Sequence, residues 1–217
     1  MRITDDRYSR DRLRFDLALR FIRHEARTHT IRTWTGLTDD RIRKLYRSYL
    51  READGQPVPR HRGKSPRQAG FFMRSARIQQ ETAILASLCC LHGVLAPRDA
   101  SHLRPPGSIT RGELLCQAFE TYRACVPNAQ ISFEHAVFLI GALGRGDELA
   151  LASCPGCGSL NVRDRLALRE RHCPHCGGHA EPAARRSPAE RRLPLGRIAA
   201  LSAPNPDRVA ATRAALR

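Results

Sequence analysis

The chain has 217 residues, room for one helical domain and a small metal-binding module, and none of its apolar runs is long enough to span a bilayer. Its 37 Lys and Arg against 21 Asp and Glu give a formal net charge of +16, nearly all of the positive charge being arginine. An excess of that size favours polyanions: DNA, RNA or an anionic membrane surface.

The opening residues, Met1 to Arg7, are charged and lack an apolar stretch, so no secretory leader is read there. Residues 11–29 read as an amphipathic helix, with Leu13, Leu17 and Phe21 on one face and Ala18 and Ile22 beside them. A shorter stretch follows over 30–37, with Ile31, Trp34 and Leu37, interrupted by Gly36. Thr38 is a good N-cap, and Asp39 and Asp40 suit the positive end of the helix that it opens. Ile42, Leu45, Tyr46 and Tyr49 give that helix one apolar face, and Asp54-Gly55 ends it.

Residues 55–68, with Pro57, Pro59, Gly63 and Pro66 among basic residues, read as an exposed loop. A long helix is expected over 69–92, carrying Phe71, Phe72, Ile78, Ile84, Leu85 and Leu88 and stopped by Gly93. After a loop over 97–109, Thr110 and Glu113 form a capping box for a helix with Leu114, Leu115, Ala118, Phe119 and Tyr122. Ser132 caps a further helix through Leu143, and Gly144-Arg145-Gly146 turns the chain. Beyond Gly178 the composition is rich in proline and arginine, which predicts a poorly ordered basic tail.

Two cysteine knuckles lie before that tail. One reads Cys154-Pro155-Gly156-Cys157-Gly158, the other Cys173-Pro174-His175-Cys176-Gly177. Two cysteines two residues apart can reach one ion if the backbone turns tightly between them; the prolines preset φ and the glycines permit the positive φ of the exit. Four thiolates complete a tetrahedron and leave no open position, so the spacing predicts one structural Zn2+ held by Cys154, Cys157, Cys173 and Cys176. Leu160-Asn161-Val162 and Leu166-Ala167-Leu168 are expected to form two small strands between the knuckles. A hairpin with so little core would draw most of its folding free energy, roughly 10 kcal/mol or more, from the metal. His172, His175 and His179 read as surface neighbours, and Cys89, Cys90, Cys116 and Cys125, which lack ligand spacing, as core thiols in a reducing compartment.

The fold class is therefore mainly α: a helical body over 1–150 with a helix-turn-helix-like N-terminal segment, a small zinc-ribbon-like module over 151–180 and a basic tail over 181–217. In the segment from Arg27 to Tyr46, Gly36 occupies the turn, while Ile31, Leu37, Ile42 and Leu45 would pack the two helices together. The exposed face of the second helix then carries Arg41, Arg43, Lys44 and Arg47, which could reach phosphates and groove edges. A packed helical hairpin with a solvated basic face has the same pattern.

With the capped helix and the knuckles in view, the chain resembles the FlhC family of flagellar transcriptional activators. Thr38 to Tyr46 resembles that family's basic helix ending in Lys-Leu-Tyr, and Phe138 through Cys154 resembles the stretch leading into its metal site. Cys154, Cys157, Cys173 and Cys176 match the family's four zinc ligands. The resemblance covers roughly residues 11–180; residues 57–70 and the arginine-rich tail depart from it. It implies a cytoplasmic DNA-binding subunit that joins an FlhD-type partner on duplex DNA and recruits RNA polymerase at flagellar or conjugative-element promoters.

DNA contacts are expected from the Arg41, Arg43, Lys44 and Arg47 face, helped by Arg163, Arg165, Arg169 and Arg171 around the knuckles. An adaptor that binds protein or RNA through a zinc ribbon, without reading DNA sequence, fits the same charge and cysteines. A nucleic-acid enzyme fits poorly. Asp39-Asp40 and Asp147-Glu148 are better explained by capping and solvation than by holding divalent metal, and no glycine-rich phosphate loop is present. No catalytic residue, small-molecule substrate or membrane association is expected.

Overall fold

The computed structural model describes residues 2–48, 58–61, 63–95, 108–168 and 172–178. The expected helix end at Asp54-Gly55, the loop around Pro105-Pro106-Gly107, Arg169, Arg171, His179 and the basic tail lie outside the described residues.

Helix α1 runs Arg2–Arg23, starting earlier and ending sooner than its apolar pattern predicts. The stop is a backbone event. Glu25 adopts φ 58°, and the Ala26 N–H reaches back to the Phe21 carbonyl at 3.0 Å, closing the last turn. Leu17, Ala18, Phe21 and Ile22 are buried as expected, but Leu13 remains half exposed. Helix α2 spans Thr28–Thr35 and ends at Gly36, whose φ of 71° is the left-handed value that glycine adopts without strain. Helix α3 then spans Asp39–Ser48, and the Thr38 hydroxyl accepts from the Arg41 N–H at 3.4 Å. Ile31, Leu37, Ile42 and Leu45 are all buried, so the two helices share one apolar seam.

The single helix expected over 69–92 is two elements. A 3-10 turn, Ala69–Met73, seats Phe72 and Met73 in the core, and α4 runs Ala76–Leu91. Ser75 separates them. Its backbone is extended, and its hydroxyl accepts from the Ile78 N–H at 3.2 Å, which caps α4. Helix α5, Ile109–Cys125, is capped by Ser108 through Arg111 N–H, not by the Thr110–Glu113 box. Helix α6, Phe133–Arg145, is capped by Ser132 as expected and ends at Gly146 in the left-handed region.

The aromatic residues of these helices meet in one core. Phe21 packs edge-on against Phe133 with ring centres 4.9 Å apart, and Phe119 meets Phe133 at 5.2 Å. Beside it Glu81 is buried but fully engaged. The Tyr122 hydroxyl donates to it at 2.5 Å, the Gln130 N–H at 2.8 Å and the Arg77 guanidinium at 2.9 Å. Arg20 bridges α1 to α5 by pairing with both Glu113 and Glu120.

A two-stranded antiparallel sheet follows, β1 (Leu149–Ser153) with β2 (Leu160–Asp164), pairing Leu149 with Asp164 and Ser153 with Leu160. This corrects the expected hairpin. Leu160-Asn161-Val162 is a strand, but its partner precedes the first knuckle. Leu166 and Leu168 are exposed beyond the sheet. Leu149 is fully buried in the helical core, and Val162 is also buried against it. Helices, sheet and knuckles all fall within one unit, Met1–Ala180. No helix among the described residues is long and apolar enough to cross a membrane.

Candidate metal centre and the basic residues around it

Each knuckle is shaped by its own backbone. In the first, the Gly158 N–H donates to the Cys154 carbonyl at 2.8 Å and the Cys154 N–H to the Ser159 carbonyl at 2.8 Å. In the second, the Gly177 N–H donates to the Cys173 carbonyl at 2.9 Å and the Cys173 N–H to the Gly178 carbonyl at 2.9 Å. The two turns are thus built alike, and Gly158 and Gly177 have φ of 73° and 67°. The β1–β2 pairing sets the first knuckle at the end of the sheet.

The four sulfur atoms converge. Cys154 Sγ lies 3.8 Å from Cys176 Sγ, Cys157 Sγ lies 3.7 Å from Cys173 Sγ, and all four fall within 4.8 Å of one another. A tetrahedral ion bonded to sulfur at about 2.3 Å requires sulfur–sulfur edges of about 3.8 Å. The donor set and its spacing therefore fit one soft, tetrahedral divalent cation, and no disulfide joins these cysteines. The four residues could hold a metal ion.

Polar neighbours support the cluster. Ser159 Oγ lies 3.0 Å from Cys157 Sγ and 3.5 Å from Cys173 Sγ, and the Asn161 amide donates to Cys173 Sγ at 3.4 Å. Burial opposes ionisation of Cys173, but the hydrogen bonds from Ser159, from the Cys176 and His175 N–H groups and from Asn161 outweigh it and hold that thiol at about 5. The bond with Ser159 also lowers Cys157. At Cys176 the Gly178 N–H favours the thiolate, yet the neighbouring sulfurs push it up to about 11. Four thiolates do not share so small a volume without a cation between them. Ser159 and Asn161 were not singled out from sequence as neighbours of the cluster; polar residues two and four places after Cys157 were the local signal for them.

Cys89 and Cys116 are buried thiols pushed up to about 12 by that burial, which keeps them protonated and inert. Cys90 is half-buried and Cys125 is exposed, so the expectation of four core thiols fails at Cys125.

Arg41, Arg43, Lys44 and Arg47 of α3 are all exposed, as expected, but two of them have partners within the chain. The Arg41 guanidinium lies 5.6 Å from the Phe15 ring of α1, and Arg43 pairs with Asp40 at 2.8 Å. Lys44 and Arg47 are exposed. Arg163 sits half-buried on β2, and Arg165 donates to the Gly146 carbonyl, which ties it to the end of α6. His172 and His175 are exposed, as expected of neighbours.

The class defined by fold and site is a mainly helical protein with a two-stranded sheet and a four-cysteine cluster. No family model matches the chain, and no curated protein matches it significantly.

Proposed function

We propose that this protein is a DNA-binding transcriptional activator subunit of the FlhC type, acting in the cytoplasm with an FlhD-type partner at flagellar or conjugative-element promoters. One structural zinc ion, held by Cys154, Cys157, Cys173 and Cys176, completes its zinc-ribbon-like module. The observation that carries the reading is the convergence of four sulfurs on one point in a chain of net charge +16.

A bound zinc ion supplies a cross-link between the two knuckles, and no chemistry on a substrate. The chain does the remainder. Leu149 and Val162 anchor the sheet in the helical core, so fixing the knuckles fixes the surface that carries Arg163 and Arg165 relative to α4 and α6. The α2–Gly36–α3 pair is the helix-turn-helix-like element. Its phosphate contacts fall first to Lys44 and Arg47, because Arg41 and Arg43 have intramolecular partners. Each phosphate neutralised releases counterions, so affinity should fall steeply with salt. RNA polymerase recruitment follows from the resemblance alone.

The test is fluorescence anisotropy on promoter duplex, with the partner present, across a salt series, before and after zinc removal, with metal content measured in parallel. Expected are one zinc per chain and binding lost on chelation. Lys44→Ala with Arg47→Ala should reduce the slope of log affinity against log salt by about 2. A protein without stoichiometric zinc, or promoter binding indifferent to its removal, ends the proposal. Binding of RNA or protein without a duplex footprint assigns the adaptor role instead.

A further inference from the structure

The four sulfurs of the cysteine cluster are not equivalent. We infer that the Cys154–Cys176 edge is an oxidation site, where hydrogen peroxide acting on Cys176 closes a reversible Cys154–Cys176 disulfide and empties the metal site. The inference rests on the zinc site of the proposed function and not on its DNA-binding role.

Distance does not choose the pair. Cys154 Sγ and Cys176 Sγ are 3.8 Å apart, and Cys157 Sγ and Cys173 Sγ are 3.7 Å apart. The side chains around them do choose. Ser159 Oγ lies 3.0 Å from Cys157 Sγ and 3.5 Å from Cys173 Sγ, and the Asn161 amide donates to Cys173 Sγ at 3.4 Å. Among the described residues no side-chain hydroxyl or amide bonds to Cys154 or Cys176; Cys176 has the Gly178 N–H instead. With metal bound all four sulfurs are thiolates, so they differ in reactivity and not in ionisation. A donor draws charge from a thiolate sulfur and makes it a weaker nucleophile. Cys157 and Cys173 are damped in this way by side chains, and Cys154 and Cys176 are not.

Access favours the same edge. Cys154 is buried and Cys176 is exposed, so Cys176 meets a solute first. A Cβ on Gly156 would touch both Cys154 Sγ and Cys176 Sγ at 3.8 Å, and one on Gly178 would touch Cys176 Sγ at 3.4 Å. Neither glycine has the positive φ that Gly158 and Gly177 have, so the turns do not require glycine at 156 or 178. Their effect is to leave the sulfur edge bare on that side.

The chemistry balances with peroxide as the oxidant. The Cys176 thiolate attacks one peroxide oxygen, the O–O bond breaks, and the departing hydroxide takes a proton to give water. Cys176 is then a sulfenic acid. The Cys154 thiolate attacks its sulfur, the S–O bond breaks, and a second hydroxide leaves as water. Two thiolates, one peroxide and two protons give one disulfide and two waters; the sulfurs lose two electrons and the peroxide oxygens gain them. Two of the four donors are then gone, while the knuckles stay joined through sulfur until a thiol reductant reopens the bond.

The experiment adds graded hydrogen peroxide to the zinc-loaded full chain. Zinc release is followed with a chromogenic chelator, and the disulfides are mapped by mass spectrometry after digestion. Expected are one zinc released per disulfide formed, a predominant Cys154–Cys176 cross-link, and full zinc uptake after dithiothreitol. Gly156→Ala with Gly178→Ala should still take up one zinc, because each methyl sits at ordinary contact distance, and should release it to peroxide several-fold more slowly. Ser159→Ala, which uncovers Cys157, should bring a Cys157–Cys173 cross-link into the digest. Zinc retained at peroxide levels that oxidise the exposed Cys125 overturns the inference, as does a predominant disulfide within either knuckle or between Cys157 and Cys173. Wild-type release by the double glycine variant also overturns it. A chain that takes up no zinc at all overturns the zinc reading and this inference with it.

Discussion

The side-chain amide of Gln80, on the outer side of α4, donates to the backbone carbonyl of Pro174 in the second knuckle at 2.7 Å. The two residues are 94 positions apart, and the bond ties the second cysteine pair to the helical body, as β1 and β2 tie the first. Gln80→Ala should leave the helices intact and free the second knuckle to move. The expected stability loss is at most about 1 kcal/mol, since the bond is exposed. Release of metal to a chromogenic chelator should be faster than in the wild type. Identical release rates would show that the knuckle is held by the sulfurs alone.

Removing a sulfur should have a different signature. Cys173→Ser is expected to abolish stoichiometric metal binding and disorder the knuckles, while the far-UV signal of the helices largely persists, because Phe21, Phe119 and Phe133 pack away from the cluster. Cys125→Ser, at an exposed thiol, should change neither. Asn161→Ala keeps all four sulfurs but removes the amide on Cys173. Loss of such a supporting hydrogen bond should weaken metal affinity by about 10–100-fold, measurable by competition with a chelator of known strength.

What was legible in the sequence was local. The α2–Gly36–α3 pair, the Ser132 cap and the cysteine spacing are each specified by residues within a few positions of one another, where turn and cap chemistry operates. The break at Ser75 was hidden because Phe71 and Ile78 keep helical spacing across Arg74-Ser75-Ala76-Arg77, and that periodicity reads as one helix. The strand partner of Leu160-Asn161-Val162 was missed for a related reason. Leu166-Ala167-Leu168 alternates no less well than Leu149-Ala150-Leu151, and only burial of Leu149 in the core decides between them. Arg41 and Arg43 looked free because their neighbours, Phe15 on another helix and Asp40 across a turn, are set by packing and rotamer. The contacts that join Glu81 to Tyr122 and Gln80 to Pro174 span dozens of residues and leave no periodic trace.

The Glu81 network predicts sensitivity to acid. Burial alone would raise this carboxyl, but the Tyr122 hydroxyl, the Gln130 N–H and Arg77 stabilise the ionised form and hold it below its ordinary value. A depressed folded value contributes stability that is present above the unfolded value of about 4.3 and is lost as pH falls through the folded one. Denaturant midpoints should therefore be flat near neutrality on this account and fall below about pH 4. Glu81→Gln should be destabilised at pH 7 by about 1–3 kcal/mol, since a neutral amide cannot satisfy all three donors, and should lose part of the acid slope. An unchanged slope would place the acid sensitivity elsewhere.

A close approach of α1 and α5 makes the last prediction. A Cβ placed on Gly112 of α5 would lie 2.7 Å from one Leu17 methyl and 3.1 Å from the other. Leu17 is fully buried on α1, so its side chain has no solvent to turn into, and the two helices approach this closely because position 112 carries no side chain. Gly112→Ala would gain helix propensity of about 1 kcal/mol in an exposed setting. Here overpacking of about 1–3 kcal/mol should oppose that gain and leave a net loss. Gly112→Val should be worse, since a β-branched side chain cannot retract. Paired with Leu17→Ala, which opens a space, Gly112→Ala should lose much less than the sum of the single effects, because each change relieves the strain or void left by the other. Thermal melts of the four variants test this; strict additivity would mean that α1 and α5 shift apart to accommodate the methyl.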